Sequence, residues 1–197
     1  MPNVQEGYFY GVLDVYFATM KTDDSPAAAP TYDPYEVMGK TIEATITPNY
    51  KEGSVYASNV ATRSERRVNT YTVSLNLDKI PYAARKKLLG RETDDNGVQI
   101  IKGSQQAPYV AIAFALTLDD GSKELWTLYK GKFAEPTQSA QTDSDSMNYQ
   151  HPTIEATFVR REYDDALAAV AATADASVDA GVESSWFSEV YEAEVTP

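Results

Sequence analysis

Val110-Ala-Ile-Ala-Phe-Ala-Leu-Thr-Leu118 decides the fold, because large and small residues alternate along it without a break. A period of two residues is typical of a β-strand, whose successive side chains point to opposite faces. Asp119-Asp-Gly-Ser122 is a turn signal, and Glu124–Phe133 returns as the partner strand. One face of the first strand is large and the other mostly alanine. We therefore expect another part of the protein to pack closely over the small face.

Further strands are predicted where polar and apolar residues alternate. Residues 70–78 do so strictly, and Thr-Ile-Glu-Ala-Thr occurs at both 41–45 and 153–157, which indicates two strands with one polar face each. One helix is predicted between Asp78, a suitable N-cap, and Gly90, a stop signal. Together these patterns predict a mainly β fold, a β-sandwich with one flanking α-helix.

The charge of the chain is unevenly distributed. The 197 residues carry a net charge of −12, yet from Glu162 onward there are nine acidic residues and no Lys or Arg. We therefore divide the chain into a nearly neutral domain, residues 1–162, and an acidic, alanine-rich C-terminal extension, residues 163–197. Because no basic stripe is present, sequence-specific DNA binding is not expected.

Residue types that carry most enzyme chemistry are scarce. The chain has no Cys and one His, so the usual zinc sites, disulfides and thiolate chemistry are not expected, and we predict neither a cofactor nor a catalytic residue. The Asp pairs at 23–24, 94–95 and 119–120 suit turns better than acid–base catalysis. No run approaches the roughly 18 apolar residues of a membrane span, so no membrane partner is expected.

A cluster of arginines is the clearest candidate for a contact with a partner. Arg63, Arg66 and Arg67 lie in a polar stretch, residues 48–69, which we interpret as a long loop between two strands. Loops of that length are uncommon in compact domains unless they are functional or disordered. Arginine suits bidentate pairing with carboxylates, so we expect an inter-subunit contact here; a solvated mobile loop is the alternative.

The order of these elements resembles the phage major tail proteins, the tail-tube proteins of long-tailed phages of the Firmicutes type. The resemblance covers residues 7 to about 162, and the extension has no counterpart in it. Its motifs are Gly11-Val-Leu-Asp-Val-Tyr-Phe-Ala18, Ser54-Val-Tyr-Ala-Ser-Asn59, Leu77-Asp-Lys-Ile-Pro81, Leu88-Leu-Gly90, Asp95-Asn-Gly-Val98, Ala107-Pro-Tyr-Val-Ala-Ile-Ala-Phe114 and Leu125-Trp-Thr-Leu-Tyr-Lys-Gly-Lys-Phe133.

The resemblance implies a structural, non-enzymatic virion protein. Such proteins assemble as hexameric rings that stack into a hollow tail tube, through which DNA passes during ejection without sequence-specific binding. The implied partners are further copies of the chain, a tape measure protein and a tail terminator, with assembly in the host cytoplasm. A monomeric β-sandwich that binds a carbohydrate or receptor is the alternative from another class.

The polar faces of the two Thr-Ile-Glu-Ala-Thr strands are candidates for the wall of such a lumen. They offer hydroxyls and carboxylates without a cation, and a negative wall would let DNA slide past. The residues of this candidate lumen face are Thr41, Glu43, Thr45, Thr153, Glu155 and Thr157.

The extension is predicted to contain a spacer and an anchor. Nine acids without a base disfavour a compact fold, so we expect residues 164–183 to form a loosely ordered spacer. An apolar cluster follows, and we expect it to dock on the chain's own body or on a neighbouring subunit; a disordered tail that adds solubility is the alternative. The anchor residues are Trp186, Phe187, Val190 and Tyr191.

Overall fold

The computed structural model describes residues 7–57, 60–140 and 149–193, with the side chains of 54–63 and 180 outside the description. The elements are β1 (Phe9–Val12), β2 (Val15–Thr22), β3 (Thr31–Tyr32), β4 (Glu36–Gly39), β5 (Thr41–Ala57), β6 (Val60–Leu77), α1 (Tyr82–Leu89), β7 (Glu92–Thr93), β8 (Gln99–Ile100), β9 (Val110–Leu118), β10 (Lys123–Phe133), β11 (Thr153–Val159), β12 (Ala168–Ala172) and α2 (Ala180–Ser185). Strands dominate and every pairing is antiparallel, so the predicted mainly β fold is confirmed.

Strand β10 joins the two layers of the sandwich. One of its edges pairs with β9, while the other pairs with β12 along its first half and with β11 along its second half. The sheet then continues from β11 through β6 to β5. Phe17 and Phe114 from one layer and Leu75 and Phe158 from the other are almost fully buried in one core, so the two layers pack face to face.

Helix α1 closes one end of this core. Ala84, Leu88 and Leu89 are buried in it, and Gly90 ends the helix in the left-handed conformation, with φ of 63°. The prediction that Asp78 is the N-cap was wrong: Pro81 occupies that position, while the backbone N–H of Asp78 donates to the carbonyl of Lys40, just before β5, and so continues the pairing of β6 with β5. The helix therefore begins later, after Pro81.

The stretch predicted as a long loop, residues 48–69, is instead part of a β-hairpin. Strands β5 and β6 pair from Thr41 opposite Leu77 to Ala57 opposite Val60. The prediction of a loop was wrong because residues 51–53 and 64–67, in the outer part of this hairpin, are exposed on both faces, so no buried face imposes alternating hydrophobicity on this stretch.

The stretch predicted as a loosely ordered spacer contains regular structure as well. Strand β12 pairs with β10, from Ala168 opposite Leu128 to Ala172 opposite Glu124. Helix α2 follows, and the carboxylate of Asp179 caps it by accepting the backbone N–H of Gly181. The open edge of β10 supplies the hydrogen bonds that an isolated alanine-rich segment lacks.

Candidate interaction surfaces

The outer part of the β5–β6 hairpin forms a two-stranded arm. Strand β11 pairs with β6 only between Asn76 and Tyr71, so from Asn49 opposite Thr70 to the tip the two strands pair only with each other. At about 3.3 Å per residue this arm is roughly 25 Å long. Because a two-stranded ribbon is marginally stable in water, a surface that covers the arm would stabilise it.

The arginines of the arm have different environments. The guanidinium of Arg66 lies 3.8 Å from the centre of the Tyr50 ring, and its Nε is 3.0 Å from Oε1 of Glu52. Arg66 is thus engaged within its own arm, although its side chain and those of Tyr50 and Glu52 are exposed. Arg67 is exposed and lies directly opposite Lys51. Arg63 lies opposite Val55 in the backbone register, and its side chain falls outside the described residues.

Most of the candidate lumen face lies on one open surface. Thr45 pairs with Ser74 of β6, which pairs in turn with Glu155 of β11, so these side chains share one face of the outer layer. Glu43, Thr45, Glu155 and Thr157 are exposed, and Thr153 is half-buried. Thr157 lies opposite Thr72 and Glu43 opposite Asn76, which extends the polar surface across three strands.

Thr41 does not belong to this face. A bulge between Thr41 and Glu43 places Thr41 opposite Leu77, whose side chain is buried in the core. The Thr41 hydroxyl is buried without a hydrogen-bond partner among the described residues, and Ile42 is 51% exposed instead. One inserted residue moves the side chains that precede it to the other face, and the sequence alternation does not reveal it.

The structure adds one cation beside the polar face. Lys132 of β10 pairs with Thr157, and its ammonium lies 4.3 Å from the centre of the Tyr109 ring. Lys132 has no carboxylate partner in the part of the chain that the structure describes, and the ring contact holds this half-buried cation instead. Its position depends on an irregularity between Leu128 and Gly131 in β10, for which the sequence carries no signal beyond the glycine itself.

The predicted anchor residues lie on the small face of β9. Trp186 is 2% exposed and packs against Ala113, Ala115 and Leu125. Its indole Nε1 donates a hydrogen bond to the carbonyl of Trp126, at 3.3 Å. Alanines on β9 leave the space that the indole ring fills, so the close packing expected over this face is supplied by the chain's own extension.

The other anchor residues complete this contact. Val190 is buried beside Ala18 and Ala111, and the rings of Trp186 and Tyr191 stack with centroids 4.9 Å apart. The ring of Phe187 lies 4.8 Å from that of Tyr16 on β2. The layer that contains β9 is therefore covered on both faces.

A buried arginine ties the extension to the body. Arg161 is 2% exposed, binds the carboxylates of Asp164 and Glu192, and stacks 3.9 Å above the ring of Tyr129. Burial lowers the pKa of this guanidinium, but hydrogen bonds to the two carboxylates outweigh that effect and raise it above its ordinary value. The pair with Glu192 joins the last described part of the extension to Arg161, which lies just before the extension begins.

A second buried ion pair lies close by. The ammonium of Lys130 is 2.5 Å from Oδ1 of Asp24 and of Asp23, and Asp24 also accepts the backbone N–H groups of Glu162 and Tyr163. Burial raises the pKa of Asp24, but these bonds outweigh it and hold the pKa at about 2. Sequence reasoning assigned Asp24 to a turn and missed this contact, which joins residues far apart in the chain.

Neither a metal centre nor a membrane segment emerges from the part of the chain that the structure describes. It contains no group of three His, Cys, Asp or Glu side chains placed to hold an ion, and none of its helices is long and apolar enough to cross a membrane. What the geometry does present is a projecting arm, an open polar face and exposed strand edges.

These features define a β-sandwich whose extension covers one layer and whose other layer carries an external arm. Residues 38–195 match the family model described as phage tail tube protein. The chain therefore belongs to the phage tail tube protein family, and its role is that of a structural component of the phage tail that associates with itself and with other tail components. None of the curated proteins compared with it matches the chain.

The range of the match corrects one expectation. The resemblance ended near Glu162 and left the extension without a counterpart, whereas the family match continues to residue 195. Strand β12 and the anchor thus lie within the family region. The match starts at Met38, so β1, β2 and β3 precede it.

Proposed function

We propose that this protein assembles into stacked, hexameric rings that form the tail tube, the conduit for DNA during ejection. Membership of the phage tail tube family is the observation that carries this proposal. The tape measure protein and the tail terminator are its proposed partners, assembly takes place in the host cytoplasm, and the protein has no enzymatic activity.

Exposed edges and apolar side chains support self-assembly. Strand β5 forms the end of the sheet, so its outer edge presents unpaired backbone groups along 17 residues. At the edge strand β1, Tyr8, Phe9 and Tyr10 are 83%, 58% and 78% exposed. Closing several copies into a ring would cover such edges, as closure does in a β-barrel.

The arm is proposed to contact a neighbouring subunit through Arg63, Arg66 and Arg67. Replacing all three with Glu converts an attractive charge pattern into a repulsive one, so assembly should be blocked while the fold is retained. The matched control replaces Lys40, Lys79 and Lys86, which are also exposed, with Glu and changes the net charge equally.

Sedimentation velocity tests this proposal on the wild type and both variants. We expect large assemblies for the wild type and the control, and a monomer with an unchanged far-UV circular dichroism spectrum for the arm variant. Assemblies formed normally by the arm variant would refute its role. A wild type that stays monomeric would favour the carbohydrate- or receptor-binding alternative.

The open polar face is proposed to line the lumen, with Glu43 and Glu155 as its negative charges. A wall of carboxylates and hydroxyls repels the phosphates of DNA, and the cation beside this face, Lys132, is held against the ring of Tyr109. Replacing both glutamates with Lys should leave assembly intact but make tubes retain DNA in a salt-dependent way. Equal DNA retention by wild-type and variant tubes would place this face elsewhere.

A further inference from the structure

Two cations face each other on the arm without a carboxylate between them. Lys51 of β5 and Arg67 of β6 are directly opposite, so their side chains project from the same face, and both are exposed. Like charges in this position destabilise a strand pair. No ion pair of either residue occurs among the described residues. Glu65, two residues before Arg67 on β6, adds one negative charge to this face. With two cations and one carboxylate, the face keeps a net positive charge.

The opposite charge is concentrated at one end of the sandwich. Asp119 and Asp120 are exposed in the β9–β10 turn. Thr173 is hydrogen-bonded to the backbone of Lys123 at the start of β10, which brings the exposed carboxylates of Asp175 and Asp179 to the same end. We call this group of four carboxylates the acidic end.

None of these four carboxylates is paired with a cation among the described residues, although Asp119 accepts the backbone N–H of Tyr8 and Asp179 that of Gly181. Lys123, the nearest base in sequence, is already paired with Glu183 at 2.7 Å. Hydrogen bonds from Ser122 lower the pKa of Asp120, and those from Ser177 lower that of Asp175, so both are ionised at neutral pH. The acidic end therefore complements the cationic face of the arm in charge.

Strand directions place the arm and the acidic end on the same side of the molecule. Strand β11 is antiparallel to both β6 and β10, so β6 and β10 run the same way. The arm contains the beginning of β6, and the acidic end lies where β10 begins. With the strands directed along the ring axis, an arm and the acidic end of its lateral neighbour lie on the same face of a cyclic ring, because every copy points the same way along that axis.

We propose that Lys51 and Arg67 bind the acidic end of the adjacent copy within the same ring. This inference rests on the proposed assembly into rings and names the partner surface of the arm. A copy stacked head to tail would present its opposite end, where α1 carries Lys86 but Asp78 is exposed as well, so charge alone does not separate the two arrangements. The shared side of the arm and the acidic end favours the lateral contact.

Charge reversal with rescue tests the pairing. The variants are Lys51→Glu with Arg67→Glu, Asp119→Lys with Asp120→Lys, and all four together, with Lys79→Glu and Lys86→Glu as the control. Each reversed pair should raise the critical concentration for assembly on the order of tenfold, and the fourfold variant should recover most of that loss. Circular dichroism checks that each variant is folded. A variant that does not fold is replaced by the corresponding Gln or Asn variant, for which a higher critical concentration is also expected.

Disulfide capture distinguishes a lateral from an axial contact. Because the chain has no Cys, single cysteines introduced at Arg67→Cys in one batch and Asp120→Cys in another can only link two copies. Oxidation of mixed assemblies should give a covalent dimer, and the mixture of Arg67→Cys with Lys86→Cys should not.

Failure of the arm contact and failure of the proposed function would give different results. Rings that form normally but show no rescue, or that link Arg67→Cys to Lys86→Cys, would overturn this inference and leave the proposed function intact. A wild-type protein that forms no ring under any condition would overturn the proposed function itself.

Discussion

The contact of Trp186 with the small face of β9 is predicted to be a main source of stability. The side chain is 2% exposed, and a buried Trp removes roughly 200 Å² of surface from water. At about 25 cal/mol per Å² this corresponds to roughly 4–5 kcal/mol, in the range of about 3–5 kcal/mol for truncating a buried aromatic residue. Trp186→Ala should therefore lower the free energy of unfolding by about 4 kcal/mol, a large part of the 5–15 kcal/mol of a typical domain.

Urea unfolding followed by circular dichroism measures this loss. Trp186→Phe keeps most of the apolar contact and gives up the hydrogen bond to Trp126, so we expect a loss of about 1–2 kcal/mol. Val170→Ala on β12, at a side chain that is 50% exposed, is the control and should change stability by less than about 1 kcal/mol. If Trp186→Ala loses no more than this control, the extension is not an integral layer of the fold.

Two further predictions concern the body. Gly131→Ala would place a methyl group 2.4 Å from the buried ring of Phe158, so thermal unfolding should show a loss of about 1–3 kcal/mol in the free energy of unfolding. Gly53→Ala is the control and should lose no stability, because nothing lies within 4 Å of the added methyl group. Equal stability of the two variants would contradict the packing around Gly131. Because the pKa of Asp24 is held at about 2, below its ordinary 3.8, its contact with Lys130 stabilises the fold above pH 4 and is lost as the pH falls from about 4 to about 2. That loss is about 2 kcal/mol, and an Asp24→Asn variant whose acid unfolding curve has the same shape as the wild type would refute it.

The sequence predicts those parts of the fold in which a buried face imposes a pattern. The alternation from Val110 to Leu118 correctly predicts β9, and its alanine face correctly indicates close packing by another element. Gly90 correctly marks the end of α1. In each case the local sequence carries the physical cause, because the side chain itself decides which face is buried or which backbone conformation is allowed.

Other parts depend on partners that are distant in sequence. The arm resembles a loop because neither of its faces is buried, and Pro48 adds to that impression although an edge strand tolerates it. The alanines of β12 belong to the stretch predicted as a loosely ordered spacer, yet the open edge of β10 makes them a strand. The bulge that removes Thr41 from the polar face and the contacts of Asp24 and Arg161 leave no local pattern in the sequence.

Electron microscopy of the purified wild-type protein is the decisive test of assembly into stacked rings. Grids prepared over a range of protein concentrations would show whether copies close into rings and whether rings stack. We expect rings of six subunits at high concentration, extending into hollow tubes whose inner wall carries Glu43 and Glu155. Single, separate molecules at every concentration, in a sample whose circular dichroism shows the β fold, would contradict this expectation.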